Sequence, residues 1–403
     1  MSIVIALLGL AFLVLIHEAG HFFVSLAVGM RPRKFYIGFP PALVKTKRNG
    51  IEYGIGAIPL GGYVRIPGMH RPAAKDVDLV FSRALHAAPE LVGPAERLKR
   101  SLAAEDYETA KLRLAEFDER AKEAGVPPQQ IEKHVQDIQD ALSPQAYWRA
   151  PVWKRVAAIS AGPLTNLVFA VVLFAVVFMT AGWDATSRVA VVLHGRPAAA
   201  AGLHSGDRVI EINGQPVAAN QISNRINASH GRALTLGVLR SGKLIFLPPV
   251  HPKKDSSDGR YRLGFSLAGQ PLGFGGAIWQ SVKTTGYVAR DTVKALGGIL
   301  HSKERGQIGG PVGISRTAAD AVHYGWASYL SVLAFISLSL ALLNLLPLLP
   351  LDGGHIAFSL LEGIRGRAIA REIYERVSAV GIAIVLLLFV VGLSNDVGRL
   401  GGG

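Results

Sequence analysis

The sequence predicts a polytopic α-helical membrane protein with about four transmembrane helices. Three observations carry that expectation. Half of the 403 residues are hydrophobic, and they gather into four apolar stretches at roughly 2–28, 156–182, 328–350 and 376–394, each long enough to cross a hydrocarbon core. Short basic segments flank these stretches, as the charge bias of membrane proteins requires. The first stretch also contains His17-Glu18-Ala19-Gly20-His21, and ionisable residues inside a span are costly enough to mark a functional site.

Residues 2–16 carry no charge. The stretch has no basic leader, and cleavage would discard the His pair, so it reads as a retained span rather than a signal peptide. On a helix, His17 and His21 stand one above the other on one face. Two neutral imidazoles and one further ligand make an open Zn²⁺ site with a position for water, and the adjacent Glu18 can deprotonate that water.

Basic residues set the orientation. Arg31, Arg33, Lys34, Lys45, Lys47 and Arg48 follow span one, Lys154 and Arg155 precede span two, and Arg365, Arg367, Arg371 and Arg376 separate spans three and four. These loops are therefore expected inside, with both chain ends outside. His17 then lies roughly 24 Å along the first helix, near its cytoplasmic end. Span three runs in the same direction and leads to Leu351-Asp352-Gly353-Gly354-His355. Asp352 reaches the depth of the His pair and is a natural third ligand, with His355 as a competing candidate.

Composition excludes several classes. There is no cysteine, so disulfides, thiolate-bound zinc and thiol catalysis are ruled out. The net charge of +14 is accounted for by segments flanking the spans, where topology and anionic headgroups use it, rather than by nucleic-acid binding.

The segments between spans differ in kind. Tyr36-Ile37-Gly38-Phe39, Leu43-Val44-Lys45-Thr46-Lys47, Glu52-Tyr53-Gly54-Ile55-Gly56 and Tyr63-Val64-Arg65-Ile66 read as short strands separated by Pro, Asn-Gly and Gly-Gly breaks. Residues 70–148 are charged. Leu98, Leu102, Ala110, Leu114, Phe117 and Ala121 recur at helical spacing, Gly125-Val126-Pro127-Pro128 breaks the pattern, and Ile131, Val135, Ile138 and Leu142 form a second helix. A helical hairpin is expected. From Arg196 to Gly214 the chain reads as a short helix stopped by Gly202, a Gly206-Asp207 turn, a strand and an Asn213-Gly214 hairpin turn. Residues 276–300 mix Ile278, Val282, Val293 and Leu296 with polar residues, as in a surface helix near the membrane.

Taken together, the HEAGH segment and Asn344-Leu345-Leu346-Pro347-Leu348-Leu349-Pro350-Leu351-Asp352-Gly353 resemble the site-2 protease family of intramembrane zinc metalloproteases. Ile58-Pro59-Leu60-Gly61-Gly62-Tyr63-Val64 is similar to that family's membrane-associated β-loop, Ala161-Gly162-Pro163-Leu164-Thr165-Asn166 to its second-span motif, and Gly310-Pro311-Val312-Gly313-Ile314 to the segment before its third core span. The chain departs from the family at Leu349, where a proline is usual. Residues 186–250 resemble a bacterial PDZ domain.

The resemblance implies that His17, His21 and Asp352 bind Zn²⁺, that Glu18 activates water, and that Asn344 and Asn166 handle substrate or the developing oxyanion. It decides against His355. It also implies a bacterial inner-membrane enzyme with single-pass, anti-sigma-factor-like substrates, in contact with lipid, and with a possible peptide ligand for the PDZ domain. The expected organisation is a first transmembrane helix (1–30), a membrane-associated β-loop (31–69), a cytoplasmic helical insertion (70–150), a second transmembrane helix (151–183), an extracytoplasmic PDZ domain (184–270), an amphipathic linker (271–327), and third and fourth transmembrane helices with the Asp-Gly motif (328–403). Two other classes fit parts of the pattern. One is a catalytically inactive PDZ-bearing adaptor with a structural metal site. The other is a metal transporter, which would need acids in more than one span; span two has none, and span four shows only Glu375 near its start.

Overall fold

The computed structural model of the protein describes residues 1–255, 259–298, 310–369 and 371–401. The first apolar stretch is α1 (Ser2–Ala27). Strands β1 (Lys34–Arg48) and β2 (Ile51–Arg65) follow, joined by Asn49-Gly50 with both residues at positive φ, as a tight hairpin turn demands. Their register runs from Arg48↔Ile51 to Ala42↔Gly56. In addition, residues 34–37 pair with 52–55 on one side and with 62–65 on the other. The two long strands thus supply four short segments, as the Pro and Gly breaks predict. Leu43 and Val44, near the hairpin tip, are exposed.

The insertion differs from expectation. It is not a hairpin but four helices, α2 (Ala74–Ala87), α3 (Val92–Ala103), α4 (Tyr107–Glu123) and α5 (Pro128–Ala141). The run expected to continue from Leu98 to Ala121 breaks at Glu105, which takes a positive φ, and Asp106 caps the new helix by accepting from the Thr109 N–H. Val77, Phe81 and Ala84 of α2 complete a core with Leu98, Leu114, Phe117 and Ile131. The insertion begins and ends at one place: the Tyr147 and Trp148 N–H groups donate to the Pro67 and Gly68 carbonyls at 2.9 and 3.0 Å.

After α6 (Val152–Thr180) come β3 (Ala185–Val192), α7 (Pro197–Ala200), β4 (Arg208–Ile212), β5 (Gln215–Pro216), α8 (Ile222–Asn227), β6 (Leu236–Arg240), β7 (Lys243–Phe246), β8 (Lys253–Lys254), β9 (Tyr261–Arg262) and β10 (Phe265–Gly269). The sheet order is β10-β3-β4-β6-β7, with β5 paired to β4 and β8 paired separately to β9. Gly202, Gly206, Asn213 and Gly214 all take positive φ, so each turn read from the sequence forms. Val189, Val209, Leu236, Val238 and Ile222 make the core, and Arg240 pairs with the buried Asp207 carboxylate at 2.7 and 2.8 Å.

The chain continues with α9 (Phe274–Gly298), α10 (Pro311–His323), α11 (Trp326–Asn344), α12 (Asp352–Arg365) and α13 (Arg371–Gly401). Within the described residues, α1, α6, α11 and most of α13 are long and apolar enough to cross a membrane. The side chain of Leu296 and residues 299–309, within the expected linker, lie outside the described set. The third span ends at Asn344 rather than Pro350, because the Leu348 and Leu351 N–H groups fold back on Leu346 and Leu348.

The chain divides into two compact units, Met1–Leu13, Leu164–Leu343 and Ile382–Gly403 in one, Val14–Pro163 and Asn344–Gly381 in the other. In the first, Tyr329 Oη donates to the Ile5 carbonyl at 2.8 Å and Ala6 packs with Ala318 and Ala319. Asp396 of α13, buried, accepts from the Gly310 and Gly313 N–H groups at 3.1 and 2.9 Å. This acid lies beyond the apolar stretch read from the sequence, but the apolar helix is longer than that stretch and runs over Glu372–Gly398, so it takes in Glu372 and Asp396 besides Glu375. The second unit contains the His pair, both strands of the first sheet, the insertion and α12.

Candidate metal centre

His17 and His21 sit one turn apart on α1, both buried, in the half of the helix that belongs to the second unit. Asp352 opens α12, where a carboxylate faces the positive end of the helix dipole. Its position is fixed by the glycines behind it. A methyl on Gly353 would overlap the Leu345 and Leu346 carbonyls, and one on Gly354 would press on the Leu348–Leu349 backbone. Leu349, the departure from the family, is fully buried, and its carbonyl lies where a methyl on Gly381 of α13 would go.

These elements bring three ligand atoms together. The two Nε2 atoms are 3.2 Å apart, and Asp352 Oδ2 lies 3.2 Å from His17 Nε2 and 3.3 Å from His21 Nε2. Among the described residues this is the group able to hold a metal ion. His21 Nδ1 is 2.9 Å from the Ala158 carbonyl of α6. A carbonyl only accepts, so Nδ1 carries the proton and Nε2 of the neutral ring presents a lone pair. The second face of that ring is held by Gly162, where a methyl would overlap the imidazole.

The spacing tests the fit to zinc. A tetrahedral ion with bonds of about 2.0–2.1 Å has ligand atoms about 3.3–3.4 Å apart, which matches the three separations. Asp352 Oδ2 is buried without a hydrogen-bond donor, and a cation held between it and the two Nε2 atoms would satisfy all three.

Glu18, the next residue on α1, is half-buried. The Val64 backbone N–H of β2 lies in hydrogen-bonding reach of its carboxylate, and its Cγ lies beside Gly62. His355 is not part of the His17–His21–Asp352 group, and its Nδ1 is hydrogen-bonded to Tyr374 Oη. Asn344 ends α11, half-buried. Asn166 is fully buried in α6, and its backbone carbonyl accepts from Ser337 Oγ at 2.8 Å. Sequence reasoning missed the Ala158 carbonyl and the contact that makes Gly162 necessary. The glycine in the second-span motif was the available signal for the latter.

A family model described as peptidase family M50 matches residues 5–388. The zinc metalloprotease RasP of Geobacillus kaustophilus is 28% identical over 407 residues, covering 96% of this chain and 95% of its own. The regulator of sigma-W protease RasP of Bacillus subtilis is 28% identical over 411 residues, with 96% of each chain covered. The chain belongs to peptidase family M50, the membrane-embedded site-2 proteases. It is a metalloprotease, and zinc is its metal.

Proposed function

We propose that the protein is an intramembrane zinc endopeptidase that cuts single-pass membrane proteins within or near their transmembrane segment, in the regulated proteolysis of an anti-sigma factor. The observation that carries this reading is the set of three ligand atoms at tetrahedral spacing, one residue from Glu18. In this reading His17, His21 and Asp352 hold the ion. Bound there, Zn²⁺ supplies Lewis-acid polarisation and a more acidic water. Glu18 takes a proton from the water that adds to the scissile carbonyl carbon and returns it to the leaving nitrogen as the C–N bond breaks. His21 stays in one tautomer because the Ala158 carbonyl holds its other nitrogen.

A substrate helix has its carbonyls hydrogen-bonded, so it must unwind before attack. Residues 62–65 form an outer segment of the first sheet, and the Val64 contact to Glu18 puts that edge beside the base. Strand addition there would hold an extended substrate. Asn344 and Asn166 are assigned contacts to substrate or oxyanion. Residues 184–270 are read as an extracytoplasmic PDZ domain, a reading supported by the sheet order and the helices α7 and α8; it takes an extended peptide or limits substrate size. The proposed setting is a bacterial inner membrane, with both ends of the chain outside, residues 70–150 inside and the site near the cytoplasmic face. The name of the Bacillus relative, a regulator of sigma-W, supports the substrate class.

The test is cleavage of a panel of single-pass anti-sigma-like proteins in liposomes by wild type and Glu18→Gln. Cutting by wild type alone is expected. Zinc and partner binding without cutting by either protein would favour an adaptor. Cutting by both would remove Glu18 as the base.

A further inference from the structure

The two histidines and the aspartate come from different helices, so something must set the distance between those helices. His21 is braced by α6 through the Ala158 carbonyl and Gly162, whereas Asp352 belongs to α12. We infer that the Arg155–Glu362 ion pair, together with the Tyr147–Ser359 hydrogen bond, is a positioning clamp that sets the spacing of His21 from Asp352. The inference rests on the reading of His17, His21 and Asp352 as the zinc ligands.

Arg155 lies one turn before Ala158 on α6, and its Nη1 donates to Glu362 Oε2 at 2.5 Å. The other oxygen of Glu362 accepts the Ile369 N–H at 2.9 Å, so the carboxylate is held at both ends. The Arg155 side chain is only 10% exposed and that of Glu362 21%. All four clamp side chains also line a cavity, yet Arg155 itself is buried, so removing its partner leaves a largely buried charge. The Arg155 guanidinium also lies over the Tyr147 ring at 5.9 Å, and Tyr147 Oη is 3.0 Å from Ser359 Oγ. Ser359 is seven residues from Asp352, about two turns along α12 on the same face. Gly363 fits against Val152, where a methyl would make a tight contact. These contacts fasten the start of α6 to the far end of α12. None of the four clamp side chains is among the three ligands or is the base. Hydrogen-bonded residues behind metal ligands typically change metal affinity by about 10–100-fold when removed.

The experiment measures Zn²⁺ affinity and the visible d–d spectrum of the Co²⁺-loaded full-length protein in detergent. The proteins compared are wild type, Glu362→Gln, Tyr147→Phe, the double variant and His17→Ala, each with its metal-free melting temperature. The expected result is a loss of about 10–100-fold in affinity for Glu362→Gln, with a shifted cobalt spectrum. Tyr147→Phe should lose less, and the two changes should be non-additive. Unchanged affinity and spectrum in Glu362→Gln and Tyr147→Phe would overturn the clamp. Should Glu362→Gln not fold, Tyr147→Phe decides alone: a shifted cobalt spectrum at an unchanged metal-free melting temperature supports the clamp, and an unchanged spectrum overturns it. Wild type binding metal no better than His17→Ala would instead overturn the ligand assignment on which the clamp rests.

Discussion

Asp352 and Asp396, two aspartates in or beside the apolar helices, have opposite surroundings. Asp396 meets donors: both oxygens accept backbone N–H groups from the start of α10. Nothing further is needed to satisfy it, and its negative charge suits a helix N-terminus. Asp352 meets the Nε2 atoms of two imidazoles, one of them held at its other nitrogen by the Ala158 carbonyl, and its Oδ2 is buried without a hydrogen-bond donor. The first is a cap that joins α10 to α13, and the second is a site that asks for a cation. A buried acid in a span is a sign of function only after its neighbours have been sorted into donors and acceptors. Asp396 therefore does not revive the transporter alternative.

The contrast can be broken most forcefully at Asp352. Asp352→Ala should lose bound zinc on dialysis and reduce cleavage by about 10³-fold or more, the scale of losing an essential catalytic group; metal analysis and liposome cleavage read the two effects. Asp352→Ala that kept its zinc and its rate would place the metal elsewhere. Gly162→Ala should push the His21 ring off the site and weaken Zn²⁺ by about 10–100-fold, read by competition with a chromogenic chelator.

Asp396→Ala should do the reverse. It orphans two buried N–H groups and should cost about 2–4 kcal/mol of stability, seen as a lower denaturation midpoint, while zinc content stays at one per chain. Zinc loss in that variant would erase the distinction drawn between the two acids. The smallest effect is expected at Asp207, a buried carboxylate satisfied by a charged partner. The Arg240 guanidinium holds its carboxyl below the usual carboxylate range. A depressed carboxylate stabilises fully above its unfolded value of about 3.9 and loses that contribution as pH falls through the folded value. The hydrogen-exchange protection factors of β4 and β6 in the full-length protein, corrected for the intrinsic pH dependence of exchange, should therefore fall on acidification below about pH 4. Asp207→Asn should weaken the sheet by about 2 kcal/mol at neutral pH and flatten that acid dependence.

Much of this was legible from local pattern. The four spans announce themselves by length, the sheet segments by their Pro and Gly breaks, and the His pair by its spacing on one helix face. The turns at Gly202, Gly206 and Asn213-Gly214 formed as their chemistry demands. What was missed has no local signature. The brace on His21 is a backbone carbonyl, which every residue owns, so nothing in the identity of Ala158 marks it. Arg155 and Glu362 are separated by 207 positions, and each alone reads as an ordinary flanking charge. Asp396 sits just past the apolar run, and its partners are glycine amides. The insertion was misread because an Ala-rich, charged run continues in helical phase through Glu105, whose positive φ is a tertiary choice that propensity does not favour.

The meeting of the insertion's two ends has a consequence for the chain as a polymer. Pro67 and Gly68 are tied to Tyr147 and Trp148 by two backbone hydrogen bonds. Topologically, the helices between them form a loop closed at that junction, with the ion pairs Arg33–Asp140 and Arg65–Asp137 tying its last helix to the first sheet. Evolution can lengthen, shorten or exchange such a pendant without re-threading a membrane helix. An experimenter can do likewise, using that junction as a cloning site for a reporter domain.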